Sequence, residues 1–166
     1  MEMGKSKDLA GVCGICCPTC ILYIGTKEDS SKIEKLALKI GVKVEDLNCK
    51  GCRSDQKSIY CKSCKFVPCS VDKGIDFCID CHEYPCKALY DFQKEKPHRI
   101  ELWEHNEFLK TNGMMKWFEE MAALHSCSNC GTINSAYDLQ CRKCGSAPSC
   151  DFVALYGDRI FYHLKK

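Results

Sequence analysis

A C-x-x-C turn holds two sulfurs a few ångströms apart and aims both at one point, the arrangement a tetrahedral metal ion requires. The chain carries seven such pairs: Cys13/Cys16, Cys17/Cys20, Cys49/Cys52, Cys61/Cys64, Cys78/Cys81, Cys127/Cys130 and Cys141/Cys144. Cys69, Cys86 and Cys150 lie outside them, so 17 of 166 residues are cysteine. The chemistry this points to is thiolate ligation of several metals.

The clearest spacing is C-terminal. Cys127-Ser128-Asn129-Cys130-Gly131 and Cys141-Arg142-Lys143-Cys144-Gly145 leave ten residues between Cys130 and Cys141, the spacing of a zinc ribbon. Glycine after each pair permits the backbone twist that brings amide N–H groups to the sulfurs. Four thiolates close the shell, which marks a structural rather than a catalytic zinc.

The twelve N-terminal cysteines divide evenly into three four-thiolate sites, but spacing leaves their partition open. One partition places Cys49, Cys52, Cys61 and Cys64 on one ion, Cys69 with Cys78, Cys81 and Cys86 on another, and Cys13, Cys16, Cys17 and Cys20 on a third. Another interleaves the pairs, as in cross-braced folds. Residues 61–69 and 78–86 both read C-x-x-C-x-x-x-P-C, with an aromatic before each proline. Proline fixes its own φ and extends the residue before it. Each unit is therefore expected to aim its third sulfur back at its pair and to take a fourth ligand from elsewhere. Cys16 and Cys17 are adjacent and point apart in most backbones, which leaves one of them as a spare thiol. Iron–sulfur clusters also use four cysteines, and they are the alternative to zinc; the run C-x-x-C-x-x-C-x-x-x-C-P is not found. His82 and His125 lie next to cysteine pairs as substitute donors, whereas His98, His105 and His163 show no partner pattern. Cys150 reads as an ordinary small residue.

No motif for nucleophilic or acid–base catalysis stands out: there is no phosphate-binding glycine loop and no H-E-x-x-H, and Glu119-Glu120 reads as a solvated helix face. An incomplete N-terminal site would nevertheless leave a metal position for water, and with it hydrolase or transferase chemistry.

Several elements must position these residues. The run Ile21-Leu22-Tyr23-Ile24 begins a helix behind the first knuckle. Ser31-Lys32-Ile33-Glu34 forms a capping box for a helix to residue 41, with Ile33, Leu36, Ala37 and Ile40 on one face and Gly41 as its stop. Residues 49–86 read as loop-rich. Helices follow at 87–95, 99–110 and 113–125, the last two interrupted at Asn112-Gly113, and the tail from Asp151 is helical and folds back. The stripe Met114, Met115, Trp117, Phe118, Met121, Ala122 and Leu124 reads as core, with a partner or cofactor groove as the alternative.

Composition narrows the setting. The N-terminus is polar and charged, and no apolar run reaches signal-peptide or membrane-spanning length, so the chain is expected in the cytoplasm with reduced thiols. The formal net charge is +2 with thiols neutral. Each four-thiolate zinc site carries a net charge of about −2, so about four loaded sites turn the protein acidic and argue against broad nucleic-acid binding. Arg142 and Lys143 at the ribbon tip are a thin basic footprint.

The series Cys13-Gly14-x-x-Cys17-x-x-Cys20, Cys49-x-Gly51-Cys52, Cys61-x-x-Cys64 with Cys69, Cys78-x-x-Cys81 and Tyr84-Pro85-Cys86 resembles the bacterial and archaeal domain of unknown function 3795 family over roughly residues 10–95. The resemblance implies a cysteine-rich, zinc-binding protein without an established activity, in some members followed by a ribbon like that at 127–145. Cys16 departs from the family pattern, which makes it the spare thiol and one N-terminal site dependent on His82 or another donor.

The expected fold is a small metal-organised α+β protein: a multi-metal domain at 1–98, a helical segment at 99–125, and a zinc ribbon with a C-terminal helix at 126–166. The expected ligands are Cys13, Cys17, Cys20, Cys49, Cys52, Cys61, Cys64, Cys69, Cys78, Cys81, Cys86, Cys127, Cys130, Cys141 and Cys144, with Cys16 in reserve. They would hold about three to four zinc ions by the four-thiolate count, or iron–sulfur as the alternative. The expected function is a non-enzymatic interaction or scaffold module with a protein partner and no membrane. The alternatives are an iron–sulfur redox or sensor protein and a nucleic-acid-binding ribbon.

Overall fold

A computed structural model describes residues 6–165. The chain divides into two compact units, Gly4–Tyr84 and Pro85–Lys166.

In the first unit a 3-10 turn at Lys7–Leu9 leads into the first cysteine knuckle, whose end is a second 3-10 turn at Cys17–Thr19. Helix α1 (Ile21–Lys27) follows and packs on α2 (Ser30–Ile40), which in turn contacts α3 (Val44–Leu47). The period of α2 buries Ile33 and Ala37 as expected, and Gly41 ends it at φ 72°, its N–H reaching the Ala37 carbonyl. Its start differs from the capping box. Asp29 occupies the cap position, and Ser31 donates its hydroxyl to Asp29 Oδ1 at 2.6 Å instead of capping the helix. Leu22, Ile33, Ala37, Leu47 and Cys49 form a small core. That core depends on close approach: a Cβ on Gly25 of α1 would meet Ile33 Cγ1 at 2.5 Å.

The stretch read as loop-rich contains α4 (Ile59–Lys62), α5 (Phe66–Lys73) and a 3-10 turn at Cys78–Asp80. The two C-x-x-C-x-x-x-P-C copies therefore do not share a backbone. In the first, Pro68 lies in the opening turn of α5, where its missing N–H has no helical partner to lose. Burial of Phe66 secures that helix against the extended preference of a residue preceding proline, and Cys69 is left exposed.

The second unit begins with α6 (Lys87–Lys94) and a 3-10 turn at Pro97–Arg99. Helices α7 (Leu102–Asn112) and α8 (Met114–His125) pack together across Gly113, whose φ is 81°. The tail is helix α9 (Asp151–Leu164), packed on α8 and on the Pro97–Arg99 turn. Part of the Met/aromatic stripe is core: Trp117, Phe118 and Met121 are buried, with the two rings 4.9 Å apart, whereas Met115 is exposed and Met114, Ala122 and Leu124 are half-buried. Cys150, Phe152, Val153 and Ile160 pack with Ala136.

The α+β expectation is overturned. Among the described residues the fold is helical without strands; the only extended pairings are single bridges, Ala10 with Cys16 and Ser126 with Ile133. A ribbon hairpin does not extend past its bridge because the chain between the last two pairs closes on its own side chains. The Ser135 N–H and hydroxyl both donate to Asp138 Oδ2 at 2.8 Å.

The Gly25 contact gives a direct check. Gly25→Ala should lower the unfolding free energy by about 1–3 kcal/mol in denaturant titration. Gly157→Ala in α9, where the added methyl has nothing within 4 Å, should be neutral or stabilising by up to about 1 kcal/mol.

Candidate metal centre

Two copies of one short motif build the C-terminal site. In each, the first cysteine takes a backbone bond two residues past the second: Cys127 N–H to Thr132 O at 2.9 Å, and Cys141 N–H to Ser146 O at 2.8 Å. The following glycine closes the turn, Gly131 N–H to Cys127 O at 2.8 Å and Gly145 N–H to Cys141 O at 2.9 Å. Both glycines adopt positive φ, 69° and 76°. The hydroxyl after each glycine lies on the second sulfur, Cys130 Sγ to Thr132 Oγ1 at 3.3 Å and Cys144 Sγ to Ser146 Oγ at 3.2 Å.

The two knuckles face each other. Cys127 and Cys144 sulfurs are 3.7 Å apart and those of Cys130 and Cys141 3.6 Å, and all four lie within 4.8 Å of one another. A zinc ion about 2.3 Å from each thiolate sets tetrahedral sulfurs about 3.8 Å apart, so the donor set fits such an ion. Donors already point at the sulfurs. The N–H groups of Asn129 and Cys130 reach Cys127, and those of Cys144 and Lys143 reach Cys141. The Ser146 hydroxyl and N–H, with the Asn129 amide, hold the exposed Cys144 thiol down to about 5. Cys127 goes the other way: the Asn129 N–H favours its thiolate, but burial and the Cys141 and Cys144 sulfurs push it up to about 11. Without a cation, then, the four cannot all ionise; a divalent ion is what lets them do so.

Asn134 fixes the cluster to the helices. It is wholly buried, and its N–H donates to His125 O at the end of α8 (2.9 Å). Its side-chain amide donates to Thr132 O at 2.8 Å and Ser149 O at 3.1 Å and lies 3.7 Å from Cys141 Sγ, while its Oδ1 accepts from Arg142 N–H at 3.0 Å. His125 points its Nδ1 at the Asn134 carbonyl at 3.1 Å and stacks on Phe152, so it serves the packing and does not join the sulfurs. A second tie runs from the Pro97–Arg99 turn. His98 Nδ1 lies 2.6 Å from the hydroxyl of Tyr137, a residue between the two cysteine pairs. Arg99 Nε donates to His98 Nε2 at 3.3 Å, so the ring is neutral with its proton on Nδ1. Sequence reading missed Asn134, Tyr137 and the two hydroxyls. The hydroxyls had a signal, the shared C-x-x-C-G-[Ser/Thr]; the asparagine and the tyrosine had none.

The N-terminal cysteines are placed differently. Among the described residues the C-terminal four are the one set of three or more Cys, His, Asp or Glu donors lying within 4.8 Å of one another. Cys13, Cys16, Cys17 and Cys49 are buried, and Cys20, Cys52, Cys61, Cys64, Cys78 and Cys81 are half-buried. The Thr19 N–H and hydroxyl donate to the Cys16 carbonyl at 3.2 and 3.1 Å. Cys49 shares a hydrogen bond with Cys61, which lowers Cys49 to about 6 and raises Cys61. Cys81 accepts from Lys73 Nζ at 3.3 Å, and exposed His82 lies beside Glu83. Cys86 occupies the cap position of α6, and Cys150 is in the apolar core.

The sequence matches the family described as Protein of unknown function (DUF3795) over residues 9–91, half of the 166. The chain belongs to that family. The C-terminal four-cysteine cluster lies outside the matched span. No curated protein and no solved structure matches the chain. No helix among the described residues is long and apolar enough to cross a membrane.

Withdrawal from water lowers His98 to about 3, helped by Arg99 and Lys96. The unfolded chain takes up this proton near pH 6.5 and the folded one does not until about pH 3. The stabilisation is therefore whole above the unfolded value and is lost as pH falls from there, by at most about 1.4 kcal/mol per pH unit. Between about pH 7 and pH 5 the wild type should lose about 1–2 kcal/mol more unfolding free energy than His98→Gln. Parallel slopes for the two proteins would show the ring to be protonated in the fold.

Proposed function

We propose that this family member is a zinc-binding interaction or scaffold protein in which the C-terminal four-thiolate site is structural. What carries this reading is the four sulfurs within 4.8 Å of one another, already supplied with N–H and O–H donors. Zinc suits the set because thiolates at tetrahedral spacing are its preferred structural shell. When bound, the ion supplies charge neutralisation and a cross-link. The protein's own residues do the rest: Asn129, Asn134, Thr132 and Ser146 orient the sulfurs, and the paired glycines let the amides reach them. With four protein ligands no position remains for a substrate at that ion, which favours a binding role over catalysis there.

The partner in this reading is another protein. Segment 99–125 contributes little to such a surface, since Trp117, Phe118 and Met121 of α8 are spent in the core. The metal holds in shape the loop between the two knuckles and the surface around it.

Two measurements test the reading. X-ray absorption at the zinc edge of natively purified protein should show a sulfur-only shell near about 2.3 Å, and Cys144→Ser should remove about one equivalent of zinc. An oxygen or nitrogen scatterer in that shell, or unchanged zinc in the variant, overturns it. Asn134→Ala should leave the ligands in place but weaken zinc about 10–100-fold in a chelator competition, because it removes the group that seats both knuckles on the helices.

A further inference from the structure

Helices α7 and α8 bury an aromatic stripe, but beside it the second unit leaves a cleft open to solvent. The cleft measures about 280 Å³ and is walled by residues of α7, α8 and α9. Phe108 of α7, Leu124 of α8 and Leu155 of α9 give it an apolar surface, and Leu155 is 65% exposed. The rest of the wall is polar. Glu101 at the cap of α7, Glu104 and His105 one turn further on, and Glu120 from α8 all line the same space.

Three carboxylates in one cleft carry negative charge that the fold does not offset. Glu101 is fixed in the wall, since Tyr156 of α9 donates its hydroxyl to Oε1 and His105 Nε2 lies 3.2 Å from Oε2. Oε2 itself is buried and accepts no hydrogen bond. Burial lowers His105 below its ordinary value even though Glu101, Glu104 and Glu120 all favour its charged form. At neutral pH the ring therefore adds no charge to balance the acids. Glu104 and Glu120 are exposed, and among the described residues no Lys or Arg pairs with either. Glu101 and Glu104 stand at the start of α7, where the helix dipole favours an acid. Glu120 lies in the second half of α8 and gains nothing from that helix's dipole, yet it shares the cleft with two other carboxylates. A cation in the cleft would relieve that repulsion.

We propose that this cleft receives an arginine side chain of a partner protein. The four-cysteine set is the one group of metal-ligating side chains within 4.8 Å among the described residues, so the acids of the cleft are too far apart to hold a bare ion and suit a larger cation. The volume falls below the range of small-molecule sites, about 300–1,000 Å³, and fits a single side chain. The methylene stem of an arginine lies along the apolar wall, and its guanidinium reaches Glu104 and Glu120 at the exposed edge. A planar fork can donate to two carboxylates at once and stack on the Phe108 ring, which a lysine ammonium cannot do. The mixture of acidic and apolar lining is thus matched by the one side chain that is both. This inference takes from the proposed function only that the partner is a protein, and it stands apart from the C-terminal zinc.

The test titrates the isotope-labelled full-length chain, as purified, with the blocked peptide acetyl-Gly-Arg-Gly-amide and follows the backbone amides by NMR. Saturable shifts are expected at residues 101–108 and 120–124. The matching lysine peptide should bind several-fold more weakly, and the citrulline peptide, which keeps the shape without the charge, should not bind. Glu104→Gln and Glu120→Gln should each weaken the arginine peptide several-fold. Glu107→Gln, on α7 but outside the cleft, should leave its affinity unchanged. Raising the salt to about 0.5 M should weaken binding several-fold in the wild type, a measurement that needs no variant to fold. Binding of the citrulline or lysine peptide equal to that of the arginine peptide overturns the proposal. So does an equal loss in Glu107→Gln, affinity unmoved by salt, or no saturable shift at all. Zinc is measured on the same sample, which separates the two readings. Protein that holds zinc but shows no shift fails here alone, whereas protein that binds the peptide without zinc upholds the cleft and overturns the structural zinc site.

Discussion

Bringing thiolates together is the constraint around which this chain is organised. Four sulfurs within 4.8 Å cannot all ionise in the absence of a cation, and as neutral thiols they are weak partners for the polar groups around them. The C-terminal site meets the first half of that problem before any ion arrives. Each knuckle supplies N–H donors to its buried sulfur, and hydroxyls from Thr132 and Ser146 lie on the outer two. A divalent ion bound there would supply the second half, and a structural zinc would couple on the order of 10 kcal/mol of apparent binding energy to folding.

The two units show two ways of using the same C-x-x-C element. In the second unit both pairs repeat one backbone pattern and face each other, so the site is local and needs only Asn134 and the His98–Tyr137 contact to join it to the helices. In the first unit the pairs are drawn apart. The Cys78 N–H donates to Val12 O, and Arg53 donates to Asp8 O and Ala10 O, so hydrogen bonds there span segments distant in sequence.

This difference explains what could be read from the sequence. The C-terminal four were legible because their neighbours in space are their neighbours in sequence, and helix α2 was legible because its burial follows the 3.6-residue period. The cap of α2 was not: Asp29 takes the cap position and its carboxylate accepts the Ser31 hydroxyl, so neither side chain caps the helix. The paired C-x-x-C-x-x-x-P-C copies misled for a related reason. Sequence identity suggested one geometry, yet Phe66 buries while Tyr84 stands partly open, and that tertiary difference makes one proline the first turn of a helix and leaves the other ahead of one. The absent sheet is the largest departure. Zinc-ribbon spacing carries an expectation of hairpins, but spacing fixes only where the sulfurs go; the Ser135–Asp138 turn, legible only in structure, decides the path between them.

The basic residues at the C-terminal knuckle follow the same logic. Arg142 and Lys143 in sequence suggest an exposed tip for a phosphate backbone. In the fold, Arg142 gives its N–H to Asn134 Oδ1 at 3.0 Å and its Nε to Ile133 O at 2.8 Å. Both bonds run from one knuckle to the other, so the residue behaves as a strap across the site. Four thiolates around one divalent ion would carry a net charge of about −2 beneath it, which would offset the cation Arg142 offers an anionic ligand.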